Sequence, residues 1–275
     1  MKIYDYKLGR LGNAIFRYLA STLFCIIYDA ERTYINRGNC IFSDNDFIIW
    51  SESVLNNNIP KINTNSNIVF YGFYQHDKIY YKYKDELIDW IIKHPDELLY
   101  TDGNNDVIHN YNYNETSYKS LDLIISPYNF KIYDFVVHLR LEDFVNNNDV
   151  IHPISIKNVL DQINQKNFCF VVNKITTELE NKYINYFSKY YDITVESNDV
   201  IQDYHIMKNA KILVCSCSTL CWISAFFSTT LNTVYFPNYD NVRIHETFKR
   251  PISNTILYEF TKCTKNELEN FLNYN

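Results

Sequence analysis

The sequence predicts an α/β protein of two domains, the second built on a doubly wound parallel sheet. Three observations carry that expectation. Apolar strand patterns alternate with helix-spaced segments from residue 134 to residue 236. A long apolar helical pattern opens the chain directly after a glycine-containing turn. Between residues 93 and 133 the periodicity fades into polar runs such as Asp102-Gly103-Asn104-Asn105-Asp106. The boundary is placed there, giving domains 1–130 and 131–275, ordinary sizes for a chain of 275 residues.

The elements follow in order. Residues 14–30 bring Ile15, Phe16, Leu19, Leu23, Phe24 and Ile27 onto one wide apolar stripe of a helix. Gly9 and Gly12 precede it, and Asn13 is its expected N-cap. Residues 67–73 (NIVFYGF) read as a strand and 84–92 as a helix. In the second half, 134–141 (DFVVHLRL) is a strand, and 155–165 has helical spacing after Pro153. Strands at 168–172, 193–196, 211–216 (KILVCS) and 233–236 then alternate with helices at 176–191, 201–209 and 219–228. Such alternation implies parallel pairing with helices on both faces, and ligands bind beyond the carboxyl ends of the strands in such sheets. No repeat of fixed period is present.

Composition narrows the function. A net charge of −6 and a pI near 5.6 argue against a general nucleic-acid binder, which needs a dense basic face. Any anionic ligand must be met by a local site. The N-terminus, MKIYDYKLGRLGN, is charged throughout and lacks the apolar core of a secretory signal. The seven cysteines are therefore expected as reduced thiols in a cytoplasmic protein. Cys215, Cys217 and Cys221 lie close together but have neither a partner His nor a C-x-x-C pair, so no metal is assigned to them. Residues 212–239 contain no Asp, Glu, Lys or Arg, yet their Ser, Thr, Asn and Pro237 divide them into strand, turn, helix and strand, so no membrane span is expected.

Three constellations could carry chemistry. Gly9-Arg10-Leu11-Gly12-Asn13 leads into a helix N-terminus, where free N–H groups and the helix dipole suit phosphate or sugar oxygens. The bland alternative is a plain strand-to-helix turn. His138-Leu139-Arg140-Leu141-Glu142-Asp143 closes the first strand of the second half, with His138 and Arg140 on one face by alternation. An Arg there can grip a diphosphate bidentately, or simply pair with Asp143. Ser216-Cys217-Ser218-Thr219-Leu220-Cys221-Trp222 runs from a strand end into a helix, so its hydroxyls can cap the helix or receive a phosphate. A fourth segment, Asp44-Asn45-Asp46, is a D-x-D that could hold a divalent cation against a diphosphate, or be a solvated loop.

The chain resembles the α-1,2-fucosyltransferases and, more distantly, the α-1,6- and protein O-fucosyltransferases. The family's G-G-L-G-N-Q-x-F-Q-Y is similar to Gly9 through Tyr18, and its L-x-G-Y-x-Q-S-E-K-Y-F to Phe70 through Tyr80. Its H-x-R-R-G-D-Y is similar to His138 through Phe144, and its S-N-S-T-F-S-W-W to Ser216 through Ile223. The four blocks occur in the family's order and span nearly the whole chain. The resemblance implies two facing Rossmann-like domains, the B-type glycosyltransferase architecture, and metal-free transfer of fucose from GDP-fucose to a glycan hydroxyl. Arg140 would hold the β-phosphate, with Asp143 beside it. His138, Ser216, Ser218, Thr219 and Leu220 would complete the donor side, and Gly12, Asn13, Gln75 and Asp77 the remaining substrate contacts. Asp143, Asp77 and His152 are candidates to take the acceptor's proton. Leu141 stands where the family has a second Arg, and Glu142 where it has Gly. Those departures leave two alternatives open, another GDP- or UDP-sugar as donor, or a sugar-binding protein of the same fold without turnover.

Overall fold

Helix caps and β-rich apolar runs divide the first half into short elements: β1 (Lys2–Asp5), α1 (Leu11–Tyr28), β2 (Glu31–Thr33), β3 (Cys40–Phe42), α2 (Asp44–Leu55), β4 (Asn67–Phe70), α3 (Asp77–Lys82), α4 (Lys84–Lys93), β5 (Leu98–Thr101) and β6 (Thr116–Lys119). This is a computed structural model, and it describes residues 1–5, 10–33, 40–63, 67–101, 116–238 and 251–274. They fall into two units, one of Met1–Ile125 and one from Ser126 onward. In the first unit β2, β1, β4 and β3 lie side by side, all parallel. The order reverses between β1 and β4, and β5 and β6 form a separate antiparallel pair.

α1 differs from its sequence expectation in two ways. It packs against β1, β2, α4 and β5, so it is buried on nearly every side rather than along one stripe. Arg17, Ser21 and Thr22 are enclosed with the apolar residues, while Ile27 is only half-buried. The two hydroxyls survive burial by donating to the Tyr18 carbonyl of their own helix, at 3.0 and 2.7 Å. By length and composition α1 could cross a membrane, although most of it is buried within the unit. The helix also starts three residues earlier than expected. Arg10 is the N-cap, with no side-chain cap, and Asn13 lies inside the first turn. Gly9 is outside the described residues.

Asp44-Asn45-Asp46 is neither a solvated loop nor an open carboxylate pair. It forms the first turn of α2, where the Ser43 hydroxyl and the Asp46 carboxylate make a capping box.

The second unit contains β7 (Phe135–Leu139), α5 (Glu142–Asn146), β8 (Val150–Ile151), α6 (Pro153–Ile163), β9 (Asn167–Val172), α7 (Glu178–Ser188), β10 (Asp192–Glu196), α8 (Val200–Lys208), β11 (Ile212–Val214), α9 (Thr219–Phe226), β12 (Thr233–Pro237), β13 (Thr255–Tyr258), β14 (Lys262–Cys263) and α10 (Lys265–Tyr274). The expected strands and helices are all present, and the uncharged stretch is divided among β11, α9 and β12, Tyr239 lying outside the described residues. α5, β13, the β8–β14 pair and α10 are additions that the sequence reading did not foresee. β10, β9, β7, β11, β12 and β13 form one parallel sheet. Numbered along the chain within this sheet, the order is 3-2-1-4-5-6, that of a Rossmann-like domain. Central strands buried on both faces must be continuously apolar, and Phe168 through Val172 of β9 are buried without interruption.

Candidate functional site

In the second unit the strand order reverses between β7 and β11, and in such sheets ligands bind beyond the carboxyl ends of the strands at that point. Two of the sequence constellations emerge there. His138, at 5% exposure, is hydrogen-bonded through Nδ1 to the Ser216 hydroxyl at 2.9 Å, joining the β7 end to the β11 end. Burial pulls the His138 pKa down to about 4, because the charged imidazolium would lose its water. It is therefore a neutral hydrogen-bonding group at physiological pH.

Arg140 leaves the strand one residue beyond β7 and is mostly enclosed. Its Nη2 stands 2.8 Å from Asp143 Oδ1, and its guanidinium carbon lies 5.6 Å from the centre of the Phe144 ring. The ion pair foreseen as the alternative role is thus real, and it fixes where the guanidinium points. The backbone beyond Arg140 is unusual. Glu142 has φ 36°, in the left-handed region where glycine is at ease and a side chain is strained. That is the position at which the resembling family carries Gly.

Two side chains that sequence reasoning missed hold this turn. Asn173, just past the end of β9, accepts the Leu141 N–H through Oδ1 at 3.2 Å. Glu180, in the first turn of α7, accepts the Glu142 N–H through Oε1 at 2.9 Å. Its other oxygen accepts the N–H groups of Thr176 and Thr177, at 2.7 and 2.8 Å. Burial opposes ionisation of Glu180, but these N–H groups and the Thr177 hydroxyl outweigh it and hold the carboxyl below its ordinary pKa. The capping-box spacing Thr177-x-x-Glu180 was visible in the sequence. What that carboxylate also reaches across the fold was not.

Beyond β11 the chain runs through Ser216, Cys217 and Ser218 into α9. Ser218 is the N-cap by backbone but makes no side-chain cap, and Thr219 and Leu220 are half-buried in the first turn. The expectation of seven reduced thiols is corrected here, since Cys215 and Cys221 form a disulfide with their Cα atoms 5.8 Å apart. The strand-to-helix turn folds the first turn of α9 back over the strand end, a proximity that a separation of six residues does not reveal. Cys25, Cys169, Cys217 and Cys263 are buried and Cys40 is exposed, all five outside this disulfide.

The first unit gathers the other two constellations at the carboxyl edge of its own sheet. Gly12 is buried and Asn13 half-buried in the opening turn of α1, and Asn13 Oδ1 accepts from Gln75 Nε2 at 3.4 Å. Arg17 donates to the Gly72 carbonyl, also at 3.4 Å. Gly72 is required by close approach, because a Cβ there would stand 2.7 Å from the Asp44 carboxylate. Asp44 in turn accepts the N–H groups of Phe73 and Tyr74, at 2.8 and 2.6 Å, and Tyr74 takes φ 53°. One oxygen of the D-x-D thus serves the loop after β4. Asp77 opens α3 and is 7% exposed. His152 is occupied as the N-cap of α6, accepting the Ile154 N–H through Nδ1 at 3.2 Å, and it lies against Phe271.

Among the described residues no group of three or more His, Cys, Asp or Glu side chains is arranged to hold a metal ion. The structure is α/β, with parallel sheets compatible with a Rossmann-like fold. Comparison with family models, curated proteins and solved structures finds no match for this chain.

Proposed function

We propose that this chain is a metal-independent, inverting glycosyltransferase of the B-type architecture that moves L-fucose from GDP-fucose to a glycan hydroxyl. One observation carries most of the weight. Arg140 and the Ser216 to Leu220 turn emerge from adjacent strands at the point where the order of a Rossmann-like sheet reverses, and His138 and Ser216 join the two strand ends. Guanidinium, hydroxyls and helix N–H groups then surround one anion.

The chemistry follows from charge. Breaking the bond between sugar and diphosphate develops negative charge on the departing phosphate and positive charge on the sugar ring. A fixed guanidinium stabilises that transition state more than the ground state, without a cation. Asp143 orients Arg140 from the other side. An acceptor hydroxyl attacks the opposite face of the sugar and inverts its anomeric centre. The residues at the first unit's sheet edge, Gly12, Asn13, Gln75 and Asp77, serve the sugar side of the reaction. His152 is a poor base in this scheme because its Nδ1 caps a helix. The reaction involves a nucleotide sugar and a glycan acceptor, and no nucleic acid.

The test is a donor screen in excess chelator, measuring nucleotide release and sugar transfer for GDP-fucose beside other GDP- and UDP-sugars. GDP release from GDP-fucose with the chelator present is the expected result. Release only after Mg²⁺ or Mn²⁺ is added would reject the metal-free mechanism, and no release from any donor would reject the enzyme.

A further inference from the structure

The turn that carries Arg140 is held by a side chain with unused capacity. Because Leu141 N–H can only donate, Asn173 must turn its oxygen toward it, which directs the amide nitrogen away from that contact. That nitrogen, Nδ2, is buried and has no hydrogen-bond partner among the described residues. A buried amide donor left unsatisfied is disfavoured, so such a group calls for an acceptor. Glu180, the carboxylate that holds the same turn, is already engaged by the N–H groups of Glu142, Thr176 and Thr177. Asn173 follows β9, whose neighbour β7 ends at Arg140, so the unused donor lies on the sheet edge where the guanidinium emerges.

We propose that Asn173 is a second donor of the anion site: its carbonyl holds the Leu141 turn while its amide nitrogen donates to a phosphate oxygen of the nucleotide sugar beside Arg140. The inference rests on the nucleotide-sugar function proposed above. Phosphate oxygens only accept, and both the guanidinium and this amide nitrogen only donate, so the pair matches a diphosphate and disfavours a cation.

Asn173→Asp tests this, because it keeps an oxygen for the Leu141 N–H and replaces the amide donor with an acceptor. Affinities for GDP, inorganic pyrophosphate and guanosine are measured by calorimetry on wild type and variant, in chelator. The expected result is a loss of about tenfold or more for GDP and pyrophosphate, with guanosine unchanged. The ratio of GDP to guanosine affinity does not depend on the folded fraction, so partial unfolding cannot imitate this outcome. Equal losses for GDP and guanosine, or no loss for GDP, would overturn the role of Asn173 alone. Failure of wild type to bind GDP at all would overturn the nucleotide-sugar function, and this inference with it.

Discussion

Arg140 decides between two roles that share one geometry. Its contact with Asp143 at 2.8 Å is what a structural ion pair requires, and also what a guanidinium aimed at a phosphate needs behind it. Replacement by Lys separates the roles. Lys keeps the charge but loses the planar two-pronged donor, and it cannot be held by Asp143 while presenting a second edge to the ligand. For a catalytic Arg140, Arg140→Lys is expected to lower kcat by roughly 10²–10³ at saturating donor, about 3–4 kcal/mol of transition-state stabilisation. A purely structural pair predicts a stability change below about 1 kcal/mol and an unaltered rate. Initial rates beside thermal melts decide it, and transfer within a few-fold of wild type removes Arg140 from the mechanism. At the same scale, Glu142 at φ 36° shows a side chain tolerated where the backbone suits glycine, with Glu180 fastening its N–H.

At the scale of elements, the seam between β7 and β11 carries a titratable group. His138 has a folded pKa near 4, against an unfolded value of about 6.5. The unfolded chain therefore binds more protons between those values, and stability rises with pH across that window. The His138 contribution is fully present above about pH 6.5 and is lost as pH falls toward 4, a total on the order of 3 kcal/mol. Buried Asp203, whose carboxyl is raised to about 6, opposes this slope in the lower part of the window. The measurement is therefore the difference in denaturant unfolding between wild type and His138→Asn, which cannot charge, from pH 7.5 to 4.5; the variant should lose the His138 part of the slope. An unchanged slope in the variant would mean that another group titrates in the window.

For the whole molecule, the division between Ile125 and Ser126 leaves the six-stranded sheet, Arg140, Asn173 and the Ser216 to Leu220 turn in the second unit. A unit with its own core and its own site is expected to fold alone. Residues 126–275, produced by themselves, should melt cooperatively and, under the proposed function, bind GDP within a few-fold of the full chain yet transfer no sugar, because Asn13 and Gln75, proposed for the sugar side, belong to the other unit. Calorimetry and a transfer assay on this fragment check both halves of the prediction. A fragment that folds but has lost GDP would show that the first unit contributes to donor binding.

What was legible in the sequence was local. Apart from α5 and β8, alternating apolar runs determined the strands and helices from Phe135 to Pro237, since periodicity depends only on near neighbours. The same locality located Arg140 at a strand end and Ser218 at a helix start. Short elements without a periodic signal were not legible, among them the two-residue strands β8 and β14. Asn13 shows the limit at a helix end: a good capping residue was present, but burial of Leu11 and Gly12 extended α1 past it. Strand order was decided only by the tertiary structure, because parallel pairing is set by long-range packing that no periodicity encodes. That order sets β9 beside β7 and β11 on its other side, and so brings His138 to Ser216 and Asn173 to Leu141, contacts spanning 78 and 32 residues.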